Sequence, residues 1–405
     1  MSAFYDLASL VVVPSGYKAA KIYAQKPLTT DGQLAFTRAS TATRVNASGL
    51  IEAVASGVPR LDYLNSTCPK LLLEPQRSNL ALYSEQFDNA AWGKFDASVS
   101  ANTVVSPDGS ANADTLTTSA VGGKIYRSFT STAGAYTLSL FVKKGTSSTA
   151  FLNFYDGSIS QYVCQTIFNL NNGTFTGAIG GSAFITDYGN GFWRIGIIDT
   201  LGSSASSEIS IGLSTTTTGN AFIYGAQLEA GAYATSYIPT TTASVTRVVD
   251  ACLKTGISSL IGQTEGTMFV EVDLTHFSSG LANEYLIQLY QDAGARILVF
   301  RTAANELNYY FLKGGVAFFS TTSVTANGRH KLAFGYKSGD SAFYIDGVQQ
   351  HTSSTAFTAF ASLTEVQIAA NFNPTQSEIG DYSYAQALLF KTRLTNAQLA
   401  ELTSL

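Results

Sequence analysis

Short runs of strict alternation between apolar and polar positions recur along the chain, each bounded by glycine, asparagine, serine or threonine. In YTLSLFVKKG, Tyr136, Leu138, Leu140 and Val142 fall on one face at a period of two. In GTMFVEVDLTHF, Met268, Val270, Val272 and Leu274 fall inward, and Phe269, Glu271, Asp273 and Thr275 outward. AFLNFYDG, QYVCQTIFNL, FWRIGIIDT, EISIGLS and AFIYGAQLEAG read the same way, as do RILVFRTAANELNYYFL, RHKLAFGYKSGDSAFYIDGVQQ and ASLTEVQIAA nearer the C-terminus. Asn171-Asn172-Gly173, Ser338-Gly339-Asp340 and Asp346-Gly347 stand between such runs as hairpin turns, where glycine accepts positive φ. Many short strands with turns of this kind predict antiparallel sandwiches. The chain closes on a predicted helix, with Thr395 as N-cap, Gln398 three residues on, and Leu399 and Leu402 as its apolar stripe.

The first 80 residues differ. Leu10 to Val13 and Tyr17 to Tyr23 read as strands joined by Pro14-Ser15-Gly16, and FTRASTATRVNASGLIEAV as short strands around Asn46-Ala47-Ser48-Gly49. So few apolar positions cannot bury much surface on their own. The expectation is a docking element that completes its core against a partner or another copy. The predicted organisation is therefore a docking segment over 1–80, a first sandwich over 81–248 and a second over 249–405. The fold class is all-β, two antiparallel β-sandwich (jelly-roll) domains in tandem after the N-terminal segment, with a short C-terminal helix.

Composition narrows the function. Charged residues make up 13% and hydrophobic residues 45% of 405 positions, which argues against both disorder and a helical bundle. A net charge of −4 gives no basic footprint for nucleic acid or an anionic membrane. The N-terminus carries one short apolar run and no basic residue before it, so it reads neither as a signal peptide nor as a membrane span. Cys68, Cys164 and Cys252 are odd in number and widely spaced, which predicts buried free thiols and assembly in a reducing cytoplasm.

The segment KLLLEPQRSNLALYSEQFDNAAWGK, residues 70–94, is the most distinctive stretch. It resembles a junction found in bacteriophage appendage proteins (tail fibres, head fibres and spikes), where it precedes a carbohydrate-binding-module-like sandwich. PDGSANADTLT and GAQLEAGAYATSYIPTTTASVTR are similar to further stretches of that family, and the last domain resembles a laminin-G or concanavalin A-like jelly roll. The resemblance implies a virion protein assembled in the host cytoplasm. It would be held to other virion proteins by its N-terminal segment, bind host-surface or mucus glycans, and form a homotrimer. From the residues themselves, Glu74 and Arg77 can pair or bond nearby backbone, and Trp92 can plug the sandwich edge; all three read as structural.

Candidate chemistry is sparse. Glu271 and Asp273 share a strand face about 7 Å apart, a spacing that suits two carboxylates in glycoside hydrolysis. Thr275 and His276 stand where family 16 glycosidases, which use this fold, place their second glutamate. The acid/base partner is missing, and the pair reads as a glycan contact. His276, His330 and His351 have no ligand spacing. Calcium held by loop oxygens is left open, with Asp346 the candidate and its Asp-Gly turn the simpler explanation. Sugar rings stack on exposed aromatic rings and hydroxyls bond to amides and carboxylates. Tyr310, on the opposite face of its strand from Tyr309, and Tyr382 and Tyr384 beside Asp381, are the aromatic candidates; Trp193 reads as core. The expected protein is a non-enzymatic adhesin. A polysaccharide depolymerase and a purely structural head or tail protein are the alternatives.

Overall fold

The computed structural model describes residues 2–274, 283–326, 328–369 and 382–405. Among these residues the strands form four large antiparallel sheets, packed in pairs as two sandwiches. The fold is all-β with a C-terminal helix, Asn396–Thr403, as the alternation predicts. That helix carries a full capping box between Thr395 and Gln398 and buries Leu399 and Leu402. Asp346 and Gly347 both adopt positive φ at the hairpin predicted there. Tyr136, Leu138, Leu140 and Val142 lie in one core, and Met268, Val270, Val272 and Leu274 in the other.

The segment 1–80 does not stand apart as a docking element. Leu10–Val12 and Lys70–Leu73 pair side by side with the free edge of Tyr382–Phe390, Val11 facing Leu388 and Leu72 facing Ser383. Gln33–Thr37 pairs with Ala251–Lys254 in the opposite, nine-stranded sheet. Its strands are too short to bury their apolar sides alone, and they complete their core within the same chain: Leu10, Val12, Leu34, Phe36, Leu71 and Leu73 pack with Met268, Val270 and Ile297. The N-terminal strands thereby cover what would otherwise be an exposed edge of the closing strand. A short N-terminal helix, Ser2–Leu7, which the alternation does not reveal, lies with the C-terminal helix over the outer face of the eight-stranded sheet; Phe4, Phe269, Leu388 and Leu399 form that third layer.

The other sandwich is consequently an insertion. Arg77–Asn79 and Val245–Arg247 pair antiparallel, so the chain leaves and re-enters the carrier sandwich at one point. Its two six-stranded sheets enclose a core drawn from residues between Ala81 and Leu228. Trp92 is buried there against Phe87, its ring nitrogen donating to the Tyr83 carbonyl at 3.1 Å.

A buried ionic cluster fastens the two sandwiches. Glu74 accepts from Arg60, from Arg247 at 2.9 Å and from the Ser236 backbone N–H at 2.6 Å; Asp250 accepts from Arg60 and from Arg38 at 3.2 Å. Burial alone would raise the Glu74 carboxyl, but the guanidiniums of Arg247 and Arg60 outweigh it and hold it well below the ordinary range. Arg77 does not pair with Glu74: its guanidinium lies 5.0 Å from the Tyr233 ring and donates to the Gln76 carbonyl. The two stretches that resemble the appendage junction meet here, since Asn79 also donates to the carbonyls of Ala226 and Ile238. Cys164 and Cys252 are buried free thiols, pushed up by burial to about 11 and about 12. Cys68, expected to be buried, is exposed in the turn before Lys70 because no sheet covers that turn.

Candidate functional site

Several residues chosen from the sequence prove to be committed elsewhere. Tyr382 and Tyr384 do share a face, but it is the inner one. Both rings are fully buried, with hydroxyls donating to Glu284 at 2.9 Å and to the Leu286 carbonyl at 2.8 Å. Asp381 lies outside the described residues, as do Thr275 and His276. Glu271 is buried under the N-terminal helix. It accepts from Arg329 and Gln386, and the same glutamine accepts from Tyr5. Asp273 pairs with Lys70 at 3.1 Å. Glu271 is closed to a glycan by Arg329 and Gln386, and Asp273 is engaged by Lys70, a partner from the N-terminal segment that the local sequence does not show. Asp346 accepts from His330 and from the Lys331 backbone, and His351 bonds to the Tyr309 hydroxyl at 2.8 Å. Among the described residues no group of three acidic, histidine or cysteine side chains is placed to hold a metal. Trp193 is half-buried against the inserted core, its ring nitrogen donating to the Leu170 carbonyl.

Tyr310 alone of the aromatic candidates remains half-exposed, 5.9 Å from the Arg296 guanidinium on the outer face of the nine-stranded sheet, while Tyr309 stacks on Phe334 in the core at 4.1 Å.

A better-built face lies on the inserted sandwich. Along Lys124–Ser131, Thr149–Asp156, Gln161–Asn169 and Ser204–Gly212, the core takes Ile125, Leu152, Phe154, Cys164, Ile209 and Ile211. Alternation therefore sends Tyr126, Asn153, Tyr155, Gln165, Glu208 and Ser210 outward. Register sets Tyr126 opposite Ser210, Ser210 opposite Asn153, and Asn153 opposite Gln165. The next row runs Glu208, Tyr155, Tyr162. Tyr155 and Tyr162 meet edge to face at 5.4 Å, and Tyr162 is 41% exposed. Tyr126 lies across Gly93 of the edge strand, where any side chain would run into its ring.

Polar groups sit between these rings. Lys124 donates to the Tyr162 hydroxyl at 2.6 Å and to Glu208 at 3.2 Å. Burial would lower this ammonium, but those two partners outweigh it and hold it above its ordinary value. At the centre, Asn153 is only 4% exposed and its Oδ1 is buried with no hydrogen-bond partner. Left unmet, such an acceptor costs about 1–3 kcal/mol. Rings that offer flat faces, an unmet amide oxygen and a carboxylate–ammonium pair are what a saccharide needs: apolar contact for its C–H faces and bonds for its hydroxyls.

No family model matches this chain, and no curated protein matches it. Among solved structures it is similar to the CBM40 of the Ruminococcus gnavus IT-sialidase, with 12% identity over 36% of this chain and 86% of that one and a TM-score of 0.30. A botulinum neurotoxin type C structure concerned with two ganglioside molecules aligns at 13% identity over 38% and 39%, with a TM-score of 0.33. The NanB sialidase of Streptococcus pneumoniae aligns at 11% over 36% and 25%, with a TM-score of 0.30. At such low identity and TM-score these likenesses decide nothing about the chain.

Proposed function

We propose that this protein is a non-enzymatic virion appendage protein that adheres to glycans through the outer face of the inserted sandwich. The observation that carries the glycan reading is the buried, unpartnered Oδ1 of Asn153 amid Tyr126, Tyr155 and Tyr162. The virion reading is supported by the resemblance of residues 70–94 and 225–247 to appendage proteins, two stretches that meet through Glu74 and Arg247. Against catalysis stands the burial and engagement of Glu271 by Arg329 and Gln386, which leaves Asp273, paired with Lys70, without a second free carboxylate. Among the described residues no helix is long and apolar enough to cross a membrane.

The working form is a homotrimer, in which three weak saccharide sites gain avidity on a repeated polymer. A panel of immobilised glycans probed with the full chain should show binding without release of reducing ends, and light scattering should give about three times the 42.9 kDa chain mass. Reducing ends released from a bound polysaccharide would make it a depolymerase. Silence towards every glycan, with stable binding to a virion component, would make it purely structural.

A further inference from the structure

The opposite sheet of the inserted sandwich turns its outer face toward the carrier, and a cleft of about 270 Å³ lies between them. Its volume equals that of about nine liquid waters, the scale of one ring-sized group. Segment 43–74, strand Ser182–Asp187, residues 234–237 and two carrier residues, Asp273 and Ser383, form its walls.

One wall is built around Arg194. Register places it between Thr186 and Phe141. Its guanidinium lies 5.3 Å from the Phe141 ring and donates to Ser139 Oγ at 3.0 Å. The side chain is 4% exposed, its Nε is buried without a partner, and no carboxylate of the described residues pairs with it. A buried cation of this kind is costly unless an anion answers it. The other buried arginines of the junction, Arg38, Arg60 and Arg247, all have carboxylate partners; Arg194 alone of this group faces the cleft without one. Beside it, Phe184 is half-exposed and lies flat across Gly196, where a β-carbon would collide with the ring. Across the cleft, Asp62 offers an acceptor for hydroxyls, while the Ser236 hydroxyl beside it is taken up by Glu74, Arg60 and Arg247.

We infer that this cleft binds a carboxylate-bearing sugar residue, its carboxylate on Arg194 and its ring on Phe184. The site is separate from the Asn153 face and does not depend on it. A neutral saccharide would leave Arg194 unanswered, and a bare carboxylate would leave Phe184 unused, so both features together select an acidic sugar.

Isothermal titration of the full chain with glucuronate, glucose and acetate tests this. Glucuronate should bind, glucose and acetate each at least tenfold more weakly. Arg194→Gln should lower glucuronate affinity at least tenfold, and Phe184→Ala, at a half-exposed position that spares the fold, should do so as well. Equal affinity for acetate would reduce the site to a simple anion site and overturn the sugar assignment. No heat with glucuronate, or unchanged affinity in Phe184→Ala, would overturn the inference whatever the Asn153 face binds.

Discussion

Asp62 shows how single residues at the junction set the conditions under which the molecule is stable. Burial pushes its carboxyl up to about 6 from 3.8, against the backbone N–H groups of Val45 and Leu64 that favour the charged form. An acid raised on folding contributes stability that is full below its ordinary value and is lost as pH rises through the folded value. Asp62 therefore costs the protein about 3 kcal/mol once it ionises above pH 6, a shift of about two units at about 1.4 kcal/mol each. Glu74 works in the other direction, but its contribution is constant above its ordinary range. Asp62→Asn, which keeps an acceptor for Val45, should gain melting temperature over wild type as pH rises from 5 to 7. A gap that does not change with pH would contradict the assignment. At this scale the sequence was partly legible. Glu74 and Trp92 could be read as structural from an unusual motif, whereas the partners of Glu74 lie at positions 60, 236 and 247, which no local pattern connects. Tyr382 and Tyr384 misled because period two shows that two residues share a face but not which face is the inner one.

Elements were more legible than their pairing. Alternation over 136–142 and 268–274, the capping box at Thr395 and the Asp346-Gly347 turn are all encoded within a few residues, and the folded chain has them as expected. Pairing across 300 residues is not encoded that way: Leu10 meets Leu389 only because the closing strand has an edge to fill. The same reason hid the Asn153 face. An asparagine inside the apolar run AFLNFYD is a local anomaly, since asparagine is depleted in strands. Its neighbours Tyr126 and Ser210 come from two other strands. Because the strands within residues 10–37 and 60–73 belong to the carrier, a chain shortened to begin at Leu80 should lose that sandwich and keep the inserted one, whose core starts at Ala81. Limited proteolysis should leave a resistant fragment ending near residue 245 and digest the remainder. Resistance of the whole shortened chain would restore the N-terminal segment to a dispensable docking role.

At the scale of the whole molecule, one sandwich is carried by another and clamped to it through Glu74, Arg60, Arg247, Asp250 and Arg38. Breaking a buried ion pair by removing one partner commonly costs about 3–5 kcal/mol, so this clamp holds the inserted sandwich in a fixed orientation. That rigidity suits the proposed adhesion, in which oriented sites on several copies would engage a repeated polymer without first being ordered. The outer face of the insert points its tyrosines away from its own core, with Asn153 unmet at their centre. The most direct test is calorimetric titration of wild type and Asn153→Val with the tightest glycan from the panel, alongside their melting temperatures. Binding should be at least tenfold weaker in the variant, with a melting temperature equal to or above that of wild type because an unpaired buried amide oxygen is gone. Unchanged affinity in Asn153→Val would contradict the proposed glycan face.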